Sequence, residues 1–464
     1  MARASAFLPG CAAAAVLLTA LVEPARAAPL EERLGPLVEA RMAVDGVPGA
    51  VIVRLRGGEP VWTRAFGLAD PAADRPMTAD ALFRAESISK PVTAWGVIRL
   101  AEAGGIDLDA PVGACLRRWR PPPGTPPFTP RQLLSHSAGL GIGDFAARYP
   151  PEAPRPDLPA HLATDFALVA APGAGFAYSD TGYNLLELVL EDCAGADFAA
   201  FMAREVLAPL AMHNASYDWT GAPMPVGHDL KGRPVAPYVY PGRGSGGLHA
   251  TAADVARFAA ASMDGANQAV LSAEGLATLH MPAVRVGGLF GVVAEGYGLG
   301  HFTETLSDGR RAVWHGGQGY GWMTHLHIVP ETGDGIVILA NSQRAWPLFA
   351  VILRAWSESL GVAPVGMSRV LWAAPLARGA IFLLAGVAAL AGWGLLRGAR
   401  RRRAVRVATG FAGAGLLVAV AWAARQDYLF IFSILPGLSA WLGGAMALAG
   451  AALAGVALWP ARGR

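Results

Sequence analysis

The sequence is almost without lysine. All but two of its thirty-eight basic residues are arginine, and the exceptions are Lys90 and Lys231. Arginine keeps its proton at any ordinary pH and cannot act as a base. A lysine retained in such a chain points to a use for its titratable amine. Cysteine is scarce too, with Cys11, Cys115 and Cys193 alone. No Cys/His grouping has metal-ligand spacing, which argues against a zinc centre, and no cofactor is expected. Charge is low at 16%. Gly379–Leu396, Val407–Ala423 and Gly437–Trp459 hold no ionisable residue at all.

Those uncharged stretches each have the length of a bilayer-crossing helix. Arg397, Arg400, Arg401, Arg402, Arg403 and Arg406 fill the first gap, which the positive-inside rule makes cytoplasmic. The second gap has only Arg425 and Asp427, as an outer loop should, and Arg462 and Arg464 return inside. The apolar Tyr428–Leu435 reads as the mouth of the third span. Small residues at Gly443, Ala447, Ala451 and Gly455 have two readings, a close helix-packing stripe or chance in a stretch rich in Ala and Gly. Residues 1–27 read as a secretory signal: Arg3, an apolar run from Ala12 to Val22, and Ala25-Arg26-Ala27 as cleavage site. The organisation expected is a signal over 1–27, an exported domain over 28–362 and a three-helix membrane domain over 370–464. This makes a multi-pass protein of the bacterial cytoplasmic (inner) membrane, its large domain on the outer, periplasmic face.

The net charge of +3 hides an asymmetry. From Arg369 onward there are eleven arginines against one acid, and residues 1–27 add one positive charge. Residues 28–368 therefore carry about −8, which excludes a nucleic-acid face. In an oxidising compartment Cys115 and Cys193 have two readings, a disulfide or two small buried hydrophobes.

Periodicity organises the large domain. Leu30–Val44 reads as an amphipathic helix, and Gly49–Leu55 with Pro60–Gly67 as a β-hairpin. A helix beginning near Ser87 stops at Gly104-Gly105. Residues 130–280 read as mostly helical with long Gly/Pro loops. Tyr297–Phe302, Arg311–His315, Met323–Val329 and Gly335–Ala340 read as strands, and Ala345–Leu360 as a last helix. The fold class expected is α/β (α+β): an antiparallel sheet from both ends of the domain, flanked by helices, with a helical subdomain inserted.

Chemistry concentrates in three stretches. In Glu86-Ser87-Ile88-Ser89-Lys90 a serine and a lysine three apart share a helix face. Lys90 could take the Ser87 proton if burial lowered its pKa. Ser89 faces elsewhere. In Tyr178-Ser179-Asp180 a tyrosine stands before a helix, where a nearby cation would lower its pKa, while Asp180 could serve merely as N-cap. In His315-Gly316-Gly317-Gln318 glycines after a strand let the backbone approach a ligand, and a strand edge can supply one oxyanion N–H beside that of Ser87.

Together these stretches resemble the serine β-lactamase and penicillin-binding protein superfamily, nearest its class C β-lactamases and their esterase and D-aminopeptidase relatives. The resemblance covers about 31–360. It includes Leu133-Leu134-Ser135-His136-Ser137-Ala138-Gly139-Leu140 and Ser245-Gly246-Gly247-Leu248, both read as structural. It implies that Ser87 is acylated and that Lys90 and Tyr178 share the proton work. The N–H groups of Ser87 and Gln318 would hold the oxyanion, with Gly317 beside them and His315 on the far wall of the cleft. Two departures matter. Asp180 stands where the family has asparagine, and His315-Gly316-Gly317 where β-lactamases have Lys-Thr-Gly. Both weigh against an anionic antibiotic and favour a small-molecule or peptide acyl substrate: an ester, an amide or a D-amino-acid peptide. The alternatives are a β-lactamase, a D-Ala-D-Ala carboxypeptidase, or a non-catalytic penicillin- or peptide-binding sensor or cell-wall assembly factor.

Overall fold

The apolar runs near residues 50 and 300–340 meet in one sheet. A computed structural model of the chain describes residues 29–144, 147–397, 401–425 and 430–459. The expected signal, and Arg400, Asp427, Arg462 and Arg464 of the topology argument, lie outside these residues. The sheet has nine strands: β1 (Gly49–Arg56), β2 (Glu59–Asp70), β3 (Arg75–Pro76), β4 (Val284–Arg285), β5 (Gly296–Tyr297), β6 (Phe302–Thr305), β7 (Arg311–Gln318), β8 (Met323–Val329) and β9 (Asp334–Ala340). Their order is 3-2-1-9-8-7-6-5-4, antiparallel throughout. The first strand therefore pairs with the last, Ala50 opposite Ala340 and Leu55 opposite Gly335. The β1–β2 turn uses Gly57 and Gly58 at φ 58° and 80°, the left-handed geometry a tight hairpin requires.

The sheet is covered on both faces, which is why β1 is buried along almost its whole length. Ala50 and Ile52 pack with Leu34, Val38 and Met42 of α1 (Leu30–Asp45) and Phe349, Ile352 and Trp356 of the domain's last helix. Val51, Val53 and Leu55 point the other way, into a larger core with Trp95, Leu326 and Leu339. Trp95 lies on α2 (Ser89–Glu102).

Two expectations about the interior need correction. Residues 130–280 hold more loop than helix. The principal helices there are Leu158–Asp165, α3 (Asp180–Ala194), α4 (Ala252–Ala261) and α5 (Ala273–His280). Proline and glycine punctuate the rest. Nor is Tyr297–Phe302 one strand. Gly298 N–H closes on His301 C=O at 2.8 Å, and Gly300 takes φ 91°, so the chain turns between β5 and β6. The last helix of the domain, α6, runs Trp346–Ser359. Cys115 and Cys193 form a disulfide, with Cα atoms 5.5 Å apart.

Beyond α6, the described residues include three helices long and apolar enough to cross a membrane: α7 (Ala373–Leu396), α8 (Arg403–Ala423) and α9 (Leu438–Leu458). α8 and α9 approach closely at Gly413 and Gly450; of the glycines in the expected stripe, Gly455 faces Leu395 of α7, while a Cβ on Gly443 would meet open space. Of Tyr428–Leu435, the described part from Phe430 onward is not continuous with α9. Phe430–Ile434 is a separate turn of helix, and Gly437 at φ 83° follows it. The segments that precede α7 and α9 both lie against the large domain. Gly366 N–H donates to Glu304 Oε2 at 2.7 Å, and the Arg369 guanidinium to Val292 C=O at 2.8 Å. Ile434 packs on the core beneath α6.

Candidate active site

The turn before α2 brings the first functional group into place. Glu86–Ile88 is a single 3₁₀ turn running into α2, which sets Ser87 and Lys90 on one side. Ser89 is spent on structure. It donates to Glu86 C=O at 2.6 Å and accepts from Leu248 N–H at 3.0 Å.

Lys90 is wholly buried. Its Nζ lies 3.0 Å from Ser87 Oγ, 2.9 Å from Ser245 C=O and 2.5 Å from Asp180 Oδ1. The first two are hydrogen bonds, and the Asp180 contact is an ion pair. Burial works to lower the Lys90 pKa, but the Asp180 carboxylate and Tyr178 outweigh it and hold the value above the ordinary lysine range. The condition set by the sequence, that burial lower the Lys90 pKa, is thus not met. Its resting state is the cation, because Asp180 faces it.

Asp180 is not the N-cap of α3. Ser179 is, accepting from Gly182 N–H at 3.0 Å, which frees Asp180 to turn inward. Tyr178 stands beside both Ser87 and Lys90, with the Lys90 ammonium 4.9 Å from its ring centre. Burial pushes the Tyr178 phenol up, against the pull of Lys90, so the expected lowering does not occur. His136 buttresses this loop. Its Nδ1 accepts from Ser179 N–H at 3.1 Å, its carbonyl accepts from Ala177 N–H at 2.8 Å, and its ring lies 4.4 Å from that of Tyr178. Burial holds it neutral.

β7 supplies the opposite side. Gly317 is required there, since a Cβ would come within 2.5 Å of Ala85 C=O and strike the Thr324 hydroxyl. Thr324 in turn donates to Ala85 C=O at 2.7 Å, tying β8 to the nucleophile turn. Gln318 borders the cleft with Ser87, Asp180 and Ser245. Its Oε1 accepts from Trp346 Nε1–H at 2.7 Å and from Ser433 Oγ at 3.4 Å. His315 is not on the cleft wall. It is fully buried behind Tyr178, with Nε2 3.1 Å from the Tyr297 hydroxyl and Nδ1 2.9 Å from Gly316 C=O. Burial holds it neutral, well below the ordinary histidine value.

Sequence reasoning missed one group. Glu86, just before the nucleophile, has φ 49° and a buried carboxylate. It accepts from Arg84 Nε–H at 2.8 Å, Tyr238 OH at 3.0 Å and Tyr240 OH at 2.9 Å. Tyr238 OH also accepts from Tyr320 N–H at 2.9 Å, so this network joins the nucleophile turn to the loop after β7. The paired spacings Arg84-x-Glu86 and Tyr238-x-Tyr240 were the available signal.

With a serine, a lysine and a tyrosine gathered beside a glycine strand edge, comparison with known proteins is informative. Residues 35–355 match the family model described as Beta-lactamase. The chain belongs to the beta-lactamase family. It is a serine hydrolase, as that family and its neighbours are. Among curated proteins it is similar to esterase EstB of Burkholderia gladioli, 29% identical over 68% of this chain and 91% of the relative. The D-alanyl-D-alanine-carboxypeptidase/endopeptidase AmpH of Escherichia coli is 23% identical over 64% of this chain and 80% of the relative. Among solved structures, the octameric penicillin-binding protein homologue from Pyrococcus abyssi shares the fold. Its TM-score is 0.67 and its identity 24%, over 75% of this chain and 81% of that one.

Proposed function

We propose that this beta-lactamase family member is a membrane-anchored hydrolase that cleaves an ester, amide or D-amino-acid peptide through an acyl-enzyme on Ser87. The observation that carries the reading is Lys90 Nζ at 3.0 Å from Ser87 Oγ and 4.9 Å from the centre of the Tyr178 ring. In the first step Ser87 Oγ bonds to the substrate carbonyl carbon. The deprotonated form of Lys90, acting with Tyr178, takes the Ser87 proton and returns it to the departing alcohol or amine. The N–H groups of Ser87 and Gln318 hold the negative oxygen, and each such donor is worth about 10²–10³ in rate. Water then attacks the acyl carbon, the acid departs and Ser87 recovers its proton.

Buried, neutral His315 puts no cation where a β-lactam carboxylate would need one, which supports esters and peptides over antibiotics. The anchoring reading draws support from α7, α8 and α9 and from the arginines between the first two. On it, the large domain lies on the outer face, together with the segments that precede α7 and α9. The test uses the full chain in detergent with a short p-nitrophenyl ester, a chromogenic cephalosporin and a D-Ala-D-Ala peptide. Intact-mass measurement follows Ser87. Ester or peptide turnover lost in Ser87→Ala is expected. Turnover that survives this substitution, or cephalosporin as the best substrate, refutes the proposal.

A further inference from the structure

The residues that frame the site also meet the starts of the apolar helices. Phe290 stacks on the Tyr178 ring at 5.3 Å and on Phe302 at 5.9 Å. Its neighbours Leu289 and Val292 turn outward and are 59% and 50% exposed. The Val292 carbonyl is held by Arg369, three residues before Trp372, which is itself 68% exposed. Leu376, in the first turns of α7, is equally exposed. On the other flank, Ser433, from the turn before α9, donates to Gln318 Oε1. An exposed apolar patch beside a functional cleft marks a contact surface. Here the patch runs directly into a helix apolar enough to enter a bilayer, which identifies the surface as lipid.

We infer that the cleft works at the outer membrane–water interface and takes an ester or amide bearing a long hydrocarbon chain, with Leu289 and Val292 dipping among the lipids beside it. This rests on the hydrolase reading above and names its substrate class. Phe290 connects the two regions: one side of its turn packs on Tyr178 and the other meets the acyl layer. The carbonyl of an embedded substrate then reaches Ser87 while its chain stays in the bilayer. The reaction is the same hydrolysis: one water is consumed, the acyl bond is replaced by an acid, and the alcohol or amine is released.

The test uses the full chain in phosphatidylcholine vesicles with two esters, water-soluble p-nitrophenyl butyrate and vesicle-borne p-nitrophenyl palmitate. The double variant Leu289→Asp/Val292→Asp should lose about tenfold or more in kcat/KM on palmitate. On butyrate it should stay within about twofold, because neither side chain touches the reacting atoms. Equal loss on both esters in the milder Leu289→Ser and Val292→Ser variants, which keep the turn uncharged, overturns the inference. So does an unchanged palmitate rate in the double variant. Wild-type protein that hydrolyses butyrate through Ser87 but gains nothing from vesicle presentation overturns this inference alone. Wild-type protein without Ser87-dependent butyrate turnover overturns the hydrolase reading beneath it.

Discussion

Replacing Asp180 by asparagine isolates the electrostatics of the nucleophile. The carboxylate lies 2.5 Å from Lys90 Nζ and favours the ammonium, so it raises the lysine pKa. An opposite charge at this range shifts a pKa by about 1–3 units, each worth about 1.4 kcal/mol. Asparagine keeps the shape and removes the charge. Burial then acts on Lys90 with less opposition, and the amine loses its proton at lower pH. If deprotonated Lys90, acting with Tyr178, takes the Ser87 proton, kcat/KM rises along an alkaline limb as that proton departs. The limb should move down by about 1–3 pH units in Asp180→Asn. The assay is the pH profile of kcat/KM on a short p-nitrophenyl ester, full chain in detergent, wild type against variant. A limb that stays in place, or moves upward, refutes Lys90 as the titrating group. Complete loss of activity at every pH would make Asp180 itself the proton acceptor and refute the assignment just as firmly.

Ser87→Ala should lower ester turnover by several orders of magnitude and abolish any mass adduct at that position. Gly317→Ala should cut kcat by about 10² or more, as β7 is pushed away from the Ala85 carbonyl; a crystal structure with the strand unmoved and full activity would contradict this. Reducing the Cys115–Cys193 bridge, which spans 78 residues, should cost about 4 kcal/mol by chain-entropy reasoning, read as a lowered Tm in reductant. Burial raises the Glu304 carboxyl to about 7. A raised value binds the proton more tightly in the folded state, so stability should fall as pH climbs from about 4.5 to 7, by about 3 kcal/mol in all. Glu304→Gln should flatten that part of a Tm–pH profile, and an unchanged slope would count against it.

The strands and helices that build the sheet were legible because each pairs a strict period with glycine or proline punctuation. β1, β2, β8, β9 and α6 are the clear cases. The turn at Gly298–His301 was hidden because Tyr297, Leu299 and Phe302 read as the apolar residues of one strand, although Gly298 and Gly300 lie between them. The middle of the domain was misread because its apolar residues are anchored by side-chain bonds and loops, which leave no periodic trace. At the site, Ser87, Lys90 and Tyr178 could be read from residue type and spacing alone. Their charge states could not. Those depend on Asp180 facing Lys90 from another helix, a contact between residues ninety positions apart. The same holds for His315, whose burial follows from how β7 sits behind Tyr178, and for Glu86, whose partners come from the 238–240 loop.

The pairing of β1 with β9 also sets an order of events during synthesis. Ala50–Leu55 finds its inner neighbour only after residues 335–340 have left the ribosome, so the sheet that carries the nucleophile turn cannot close earlier. α7 begins about thirty residues later. On the anchoring proposal, sheet closure and entry of the first apolar helix into the bilayer are therefore nearly simultaneous. A chain stopped before residue 334 would present β1 and β8 as two unprotected apolar strand edges, the state from which aggregation starts. Assembly of the domain is thus timed by its own C-terminal strand, and an early truncation should be found in aggregates or degraded, not as a smaller working enzyme.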